Sequence, residues 1–306
     1  MTEIELDGEP IALSNLDKPL FGDDGPTKGD LVDYYRRIAE VALPHWRGRP
    51  LTMQRFPDGI EAEGFFQKDR PKHFPDWIAH RSLAKQGGSV DHVLVENAAT
   101  AVYLANQGCI TLHLGLSRVD RIESPDRLVF DLDPSTDDFA AVQEAARQLK
   151  KLLDELELAS FVQTTGSRGL HVVVPLDRSA DFEAVREVAR RIAAETAGRD
   201  PERLTVEPRK AARRGRVFLD YLRNAEGQTA VAPYSVRAKP KAPVATPLDW
   251  DEALDKGLRP DGYSIRNIFK RLGQKADPWR DIDKAATSLA EAEKRLAASE
   301  HQGDHG

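Results

Sequence analysis

The run DRLVFDLDPSTDD, residues 126–138, makes two demands that conflict. Its apolar residues read as a buried strand, yet two carboxylates stand among them, and a buried carboxylate without a partner is costly. Side chains alternate across a strand with period two. Leu128, Phe130 and Leu132 therefore share one face, and Val129, Asp131 and Asp133 share the other. Two like charges this close repel, so either one takes a proton or a cation holds both ionised. A face of carboxylate oxygens suits Mg²⁺ or Mn²⁺. The competing reading is a helix-entry turn in which Asp133, Ser135 or Asp137 caps the next helix. D-x-D alone leaves both readings open.

A near echo, VFLDYL, begins at Val217 and sets Asp220 inside a second apolar run. Carboxylates on neighbouring strands could hold two metal ions and clamp a phosphoryl transfer. A third stretch, TTGSRGLHVVVPL, brackets Ser167 and Arg168 between Gly166 and Gly169. Such a turn can aim backbone N–H groups, a hydroxyl and a guanidinium at phosphate oxygens. It is not a P-loop, because it lacks the G-x-x-x-x-G-K spacing and opens a strand. A plain glycine-rich hairpin, with His171 as an ordinary strand histidine, is the alternative. PRKAARRGR, residues 208–216, is the tightest basic cluster; it is either a solvated face or a lead-in to the echo strand.

The remaining chain alternates helical and strand periodicity, which places it in the α/β or α+β class. Helices are expected over 27–43, 98–107, 138–156 and 181–197, with Thr27 and Asp30 as a capping box. Strands are expected at the N-terminus, around the Pro57–Asp58–Gly59 turn, over 89–97 and 109–115, and on both sides of the 164–169 turn. AKPKAPVATP, residues 238–247, reads as an extended surface connector. Two more helices are expected over 263–273 and 283–298, then a disordered tail over 299–306. Residues 84–92, AKQGGSVDH, read as a flexible loop.

The 306 residues, 40% of them hydrophobic, can fill a sizeable core, and no stretch approaches the roughly 18 apolar residues of a membrane span. The acidic N-terminus has no apolar signal segment, and a lone cysteine, Cys109, excludes an internal disulfide or a cysteine-cluster zinc site. These features lead us to expect a soluble cytoplasmic protein with no membrane partner. The net charge of −6 gives nucleic-acid binding no support, although local charge matters more than the total.

FDLDP, TTGSRGLH, VFLDYLRN and APYSVR, in that order, resemble the primase-polymerase domain of bacterial ATP-dependent DNA ligase D, within the archaeo-eukaryotic primase superfamily. LSNLDKPLF, TKGDLVDYY and GFFQK extend the resemblance towards the N-terminus. It implies an α+β fold, in which an RRM-like antiparallel or mixed catalytic sheet with helices packs with an N-terminal α/β unit. One domain over 1–298 is expected, divided into that unit at about 1–110, a catalytic core at about 111–237 and an extension at about 238–298.

The resemblance also implies roles. Asp131, Asp133 and Asp220 would be catalytic and would hold two Mn²⁺ or Mg²⁺ ions. Ser167, Arg168, Gly169 and His171 would hold the incoming NTP or dNTP, with Lys210 and Arg237 on its triphosphate and His113 nearby. Lys18 and Lys28 would take the 5′-phosphate of gapped DNA, and Phe65 and Phe66 would stack on template bases. The loop departs from the family in carrying Arg168 for Lys and Thr165 for Ser, which keeps the chemical character. The implied activity is gap filling and end extension in double-strand break repair by non-homologous end joining, near the nucleoid, with a Ku-type end-binding protein and a DNA ligase as partners. No K-x-D-G stretch supplies an adenylated lysine, so no ligase activity is expected of this chain. Three rivals stay open: a D-x-D glycosyltransferase, a DNA-end-binding protein without chemistry, and a primase that starts chains de novo.

Overall fold

Thr27 and Asp30 form the expected capping box: the Asp30 N–H donates to Thr27 Oγ1 at 3.2 Å, and the Thr27 N–H donates to Asp30 Oδ2 at 2.8 Å. This starts the longest helix of a computed structural model that describes residues 2–85 and 87–303. In chain order the first elements are β1 (Thr2–Leu6), β2 (Glu9–Leu13), α1 (Lys28–Trp46), β3 (Leu51–Arg55), β4 (Phe65–Gln67), β5 (His80–Lys85), β6 (Gly88–Val93), α2 (Ala98–Asn106) and β7 (Cys109–Gly115). Then come β8 (Arg127–Asp133), α3 (Phe139–Glu155), β9 (Phe161–Thr164), β10 (Leu170–Pro175), α4 (Phe182–Arg199), β11 (Leu204–Thr205) and β12 (Val217–Asp220). The last third holds β13 (Thr229–Val231), β14 (Pro247–Leu248), α5 (Trp250–Ala253), α6 (Ile268–Leu272) and α7 (Ala290–Gly303). No helix among the described residues is long and apolar enough to cross a membrane.

The chain divides into two units, one of residues 1–120, 229–246 and 261–277, the other of the remainder. In the first unit the sheet order is β13-β7-β3-β4, all antiparallel, beside the β1-β2 and β5-β6 hairpins. Leu51, Met53, Leu112 and Leu114 lie on one face of that sheet and are buried with Leu31, Tyr35, Ile38 and Trp46 of α1. β7 thus belongs with β3, although the sequence reading set it at the start of the catalytic core.

In the second unit the segment from β8 to β12 runs β-α-β-β-α-β, with the short β11 beside the last strand. The sheet order is β11-β12-β8-β10-β9-β14, so the four principal strands stand fourth, first, third, second. That is the split βαβ arrangement of RRM-like sheets. All pairs are antiparallel except β11 with β12, so the sheet is mixed, as expected. Leu128, Phe130, Leu132, Val172 and Leu219 are buried on one face together with Val142, Leu149, Val185 and Ile192 from α3 and α4.

Several local expectations give way. Residues 84–92 lie in the β5-β6 hairpin rather than a loop, because the two runs pair from His80↔Val93 to Lys85↔Gly88; Gln86 lies outside the described residues. The proline-rich connector touches the surface only in its first half: Pro240 and Lys241 are exposed, but Ala242, Val244, Ala245 and Thr246 are fully buried. Proline carries no N–H to satisfy, and buried backbone groups beside the prolines find partners, with Tyr234 N donating to Ala245 O and Val244 N to Tyr263 O. The helix expected over 263–273 shortens to α6, and the one over 283–298 begins only at Ala290. The backbone stays helical to Gly303, while residues 304–306 of the expected tail lie outside the described residues.

Candidate active site and nucleic-acid contacts

Pairing β8 between β12 and β10 sets Asp220, Asp131 and His171 directly opposite one another, and Gln163 of β9 continues the row. Asp133, two residues on from Asp131, shares their face. Asp133 does not cap α3; that role falls to Asp138, whose carboxylate accepts from Ala141 N at 3.2 Å. The second face of the sheet therefore collects all three carboxylates at its centre. In RRM domains the corresponding sheet surface carries aromatics that stack on bases.

Of the two ways open to the paired acids, a proton or a cation, Asp131 takes the second, and its cation comes from within the chain. Asp131 is only 5% exposed. Its Oδ2 accepts from Arg223 Nε at 2.8 Å, and its Oδ1 lies 3.4 Å from His171 Nε2. Burial pushes this carboxyl up, but the imidazole and the guanidinium outweigh burial and hold it well below the usual carboxylate range. The other two acids go the opposite way. Burial and then the Asp131 charge raise Asp133, and burial with the same charge raises Asp220 despite a hydrogen bond from Leu222 N.

The residues after Asp220 hold this arrangement. Asn224 is fully buried, and its amide completes the ladder beyond the end of β12. Val129 N donates to Asn224 Oδ1 at 2.8 Å, while Asn224 Nδ2 donates to Val129 O at 2.7 Å and to Tyr221 O at 2.8 Å. The same turn delivers Arg223 to Asp131. Neither residue was singled out from sequence, although the signal stood in VFLDYLRN, where a cation and an amide follow Asp220 by three and four positions.

The glycine turn sits against this face. A Cβ on Gly169 would strike the Leu132 carbonyl oxygen, so only glycine lets the turn approach the end of β8. Gly166 takes φ 64° to reverse the chain, and Thr165 N donates to Gly169 O at 3.0 Å. Ser167 and Arg168 ride on that turn, with the Arg168 guanidinium 4.0 Å from the exposed Asp137. Lys210 lies in an exposed turn, and no hydrogen bond or ion pair of its ammonium is found among the described residues. Within the basic cluster, Arg213 lies over the Phe218 ring at 4.1 Å, and its charge, with that of Arg223, reaches Asp133 and Asp220.

Among the described residues, no group of three or more His, Cys, Asp or Glu side chains stands at metal-binding geometry. The three carboxylates are gathered on one face but not closed into a ligand set, since Asp131 is engaged by Arg223 and His171. The donor chemistry nevertheless fits a hard divalent cation. Asp133 and Asp220 are part-buried, hold their protons more tightly than ordinary carboxylates, and have no ion-pair partner within 4 Å among the described residues.

The first unit holds the other expected residues. Lys28 opens α1, is 7% exposed, and its ammonium donates to Ser14 Oγ at 3.4 Å. Burial lowers its pKa, and the neighbouring Lys18 lowers it further. Lys18 pairs with the exposed Asp58 at 2.8 Å. Lys18 and Lys28 thus place two positive charges near each other, and the buried ammonium of Lys28 has no carboxylate partner within 4 Å among the described residues. Among the described residues, Phe65 and Phe66, at 45% and 63%, are the large hydrophobic residues left exposed. The Arg55 guanidinium lies over the Phe65 ring at 5.5 Å, and Phe66 meets the His113 ring edge-on at 5.5 Å. Arg237 follows Val236 in this unit, where its N–H donates to Pro243 O at 2.7 Å.

A family model for the LigD primase-polymerase domain matches residues 27–279. The chain belongs to the LigD primase-polymerase domain family. It is 35% identical over 278 residues to the multifunctional non-homologous end joining protein LigD of Mycolicibacterium smegmatis, covering 90% of this chain and 36% of that protein. It is 32% identical over 274 residues to the bifunctional non-homologous end joining protein LigD of Bacillus subtilis, covering 89% of this chain and 44% of that protein. The chain thus spans less than half the length of these curated relatives. Among solved structures it matches the polymerase domain of Mycobacterium tuberculosis ligase D, in complex with DNA, with a TM-score of 0.85 and 32% identity over 90% of this chain and 99% of that one. The mixed α/β fold expected for a LigD polymerase domain is therefore the fold observed.

Proposed function

We propose that this chain is a template-directed nucleotidyltransferase that adds NTPs or dNTPs to a primer 3′-hydroxyl, filling gaps and extending ends in non-homologous end joining. The observation that carries this reading is the face where Asp220, Asp131 and His171 stand in one row with Asp133 beside them. A binder of nucleic acid without chemistry would meet repulsion there, because phosphate and carboxylate are both anionic.

Asp131, Asp133 and Asp220 are the residues that would hold Mn²⁺ or Mg²⁺. Bound there, divalent ions would make the primer hydroxyl a stronger nucleophile and neutralise charge on the triphosphate. His171 and the Ser167–Gly169 turn border that face and position the nucleotide, and Arg213 adds positive charge beside Asp133 and Asp220. Lys210, Arg237 and His113 complete the proposed nucleotide contacts. Lys18 and Lys28 take a downstream 5′-phosphate, and Phe65 and Phe66 stack on template bases without reading their sequence. DNA ends and gapped DNA are the substrates, with a Ku-type protein and a ligase as partners in the repair.

Primer extension with Mn²⁺ or Mg²⁺, comparing gapped and unprimed templates with ribo- and deoxynucleotides, tests the reading. Extension of the gapped template is expected, and no incorporation on any template would sink it. Binding of gapped DNA is expected to gain about tenfold or more from a 5′-phosphate. Lys18→Met with Lys28→Met is expected to abolish that gain, and an undiminished gain in the double variant would remove the pocket. Phe66→Ala is expected to leave stability within about 0.5 kcal/mol, since the ring is exposed. It should weaken template binding by about 1–3 kcal/mol, and unchanged binding in a fluorescence titration would exclude the stacking role.

A further inference from the structure

We propose that Arg223 is a resident counter-ion which a divalent cation must displace from Asp131, so that this arginine sets how tightly the acidic face takes a metal. The inference rests on the metal reading above and goes beyond it, since it concerns a residue that does not ligate.

Both oxygens of Asp131 are engaged by the protein itself, Oδ2 by Arg223 at 2.8 Å and Oδ1 beside His171 at 3.4 Å. A ligand of a hard cation binds at about 2.0–2.2 Å, so a guanidinium and a metal ion on one carboxylate would be two cations in close repulsion. One must yield, and the structure shows which can. Asp131 lies at the centre of a strand paired on both sides, and its side chain is 7% exposed. Arg223 stands on a turn after a strand end, and its side chain is 38% exposed, with open solvent to move into. Its backbone is held by the neighbouring Asn224, so its side chain, not the turn, is the part free to swing. Asp133 and Asp220 have no such ion pair, which leaves Asp131 as the ligand whose charge is already taken.

The arrangement also accounts for the absence of a closed ligand set among the described residues. Without a metal, three carboxylates on one face would repel, and Arg223 neutralises the most buried of them. The cation and the arginine then compete for one site, and neutralising the arginine should favour the cation.

Mn²⁺ binding to the nucleotide-free protein, read by the electron paramagnetic resonance signal of free Mn²⁺, tests this without reference to activity. Arg223→Gln is expected to bind Mn²⁺ about tenfold more tightly than the unaltered protein, whereas Arg223→Lys, which keeps the charge, should stay near it. Without metal, Arg223→Gln should melt at a lower temperature, and saturating Mn²⁺ should close the gap. Arg223→Met keeps the aliphatic stem and carries the same expectation should the glutamine variant fold poorly. Mn²⁺ affinity equal to or weaker than that of the unaltered protein in the neutral variants overturns the proposal. Asp131→Asn separates the two readings. If it binds Mn²⁺ as the unaltered protein does, the metal site itself is misplaced; if it loses Mn²⁺ while Arg223→Gln is unchanged, only the counter-ion role fails.

Discussion

Asparagine in place of Asp220 is expected to lower nucleotide addition by about 10³-fold or more while the melting temperature holds or rises. The two effects share one cause. Asp220 stands directly opposite Asp131, and burial together with that neighbouring charge raises its pKa. A carboxyl held more tightly protonated in the folded chain contributes stability that is present below the ordinary carboxylate range. That stability is lost as the pH rises through the raised value. At neutral pH the folded protein therefore carries a charge that it disfavours, and asparagine removes it while keeping the oxygen that accepts from Leu222 N at 2.8 Å. Melting curves should show the advantage of the variant growing as the pH rises from about 4 to 7. Primer extension at the unaltered rate, or a variant that melts lower at neutral pH than at acid pH relative to the parent, would contradict this account.

Asn224→Ala should be the most destabilising single change in the site, costing about 2–4 kcal/mol, because it strands the Val129 N–H, the Val129 carbonyl and the Tyr221 carbonyl together. All three bonds lie between 2.7 and 2.8 Å, and the residue is fully buried. Urea unfolding measures the cost. A loss under about 1 kcal/mol would mean that water enters and takes over those bonds. Activity should fall as well, since Val129 is two residues from Asp131 and Asn224 anchors the turn that carries Arg223. For Asp131 itself the linkage runs opposite to that of Asp220. Its lowered pKa contributes stability above the ordinary carboxylate range, which is lost only as the pH falls towards the depressed value.

Much of the local structure followed from short-range rules. The capping box at Thr27, the helices over α3 and α4, and the turn between β9 and β10 each depend on residues within a few positions of one another. Elements that depend on distant partners have the opposite property. β11, β13 and β14 are two or three residues long and exist only because a partner strand passes by. The proline-rich segment looks like a surface connector until Tyr234, Ser235 and Tyr263 supply its hydrogen bonds from elsewhere in the chain. Within the basic cluster, no local pattern marks Arg213, which lies over the Phe218 ring only because the strand after the cluster packs beside it.

The acidic strand divides along the same line. Period two alone turned Asp131 and Asp133 away from Phe130 and Leu132, because alternation is a property of each strand's own backbone. The ordered motifs that resemble the LigD polymerase domain were likewise present in the chain as written. Which groups meet Asp131 was another matter. Registers between β8, β10 and β12 placed His171 and Asp220 beside it, from 40 and 89 positions further along the chain. The turn closed by Asn224 then brought in Arg223. Pairing over such distances is selected by burial of the opposite face against α3 and α4, a property of the assembled sheet that no single segment carries.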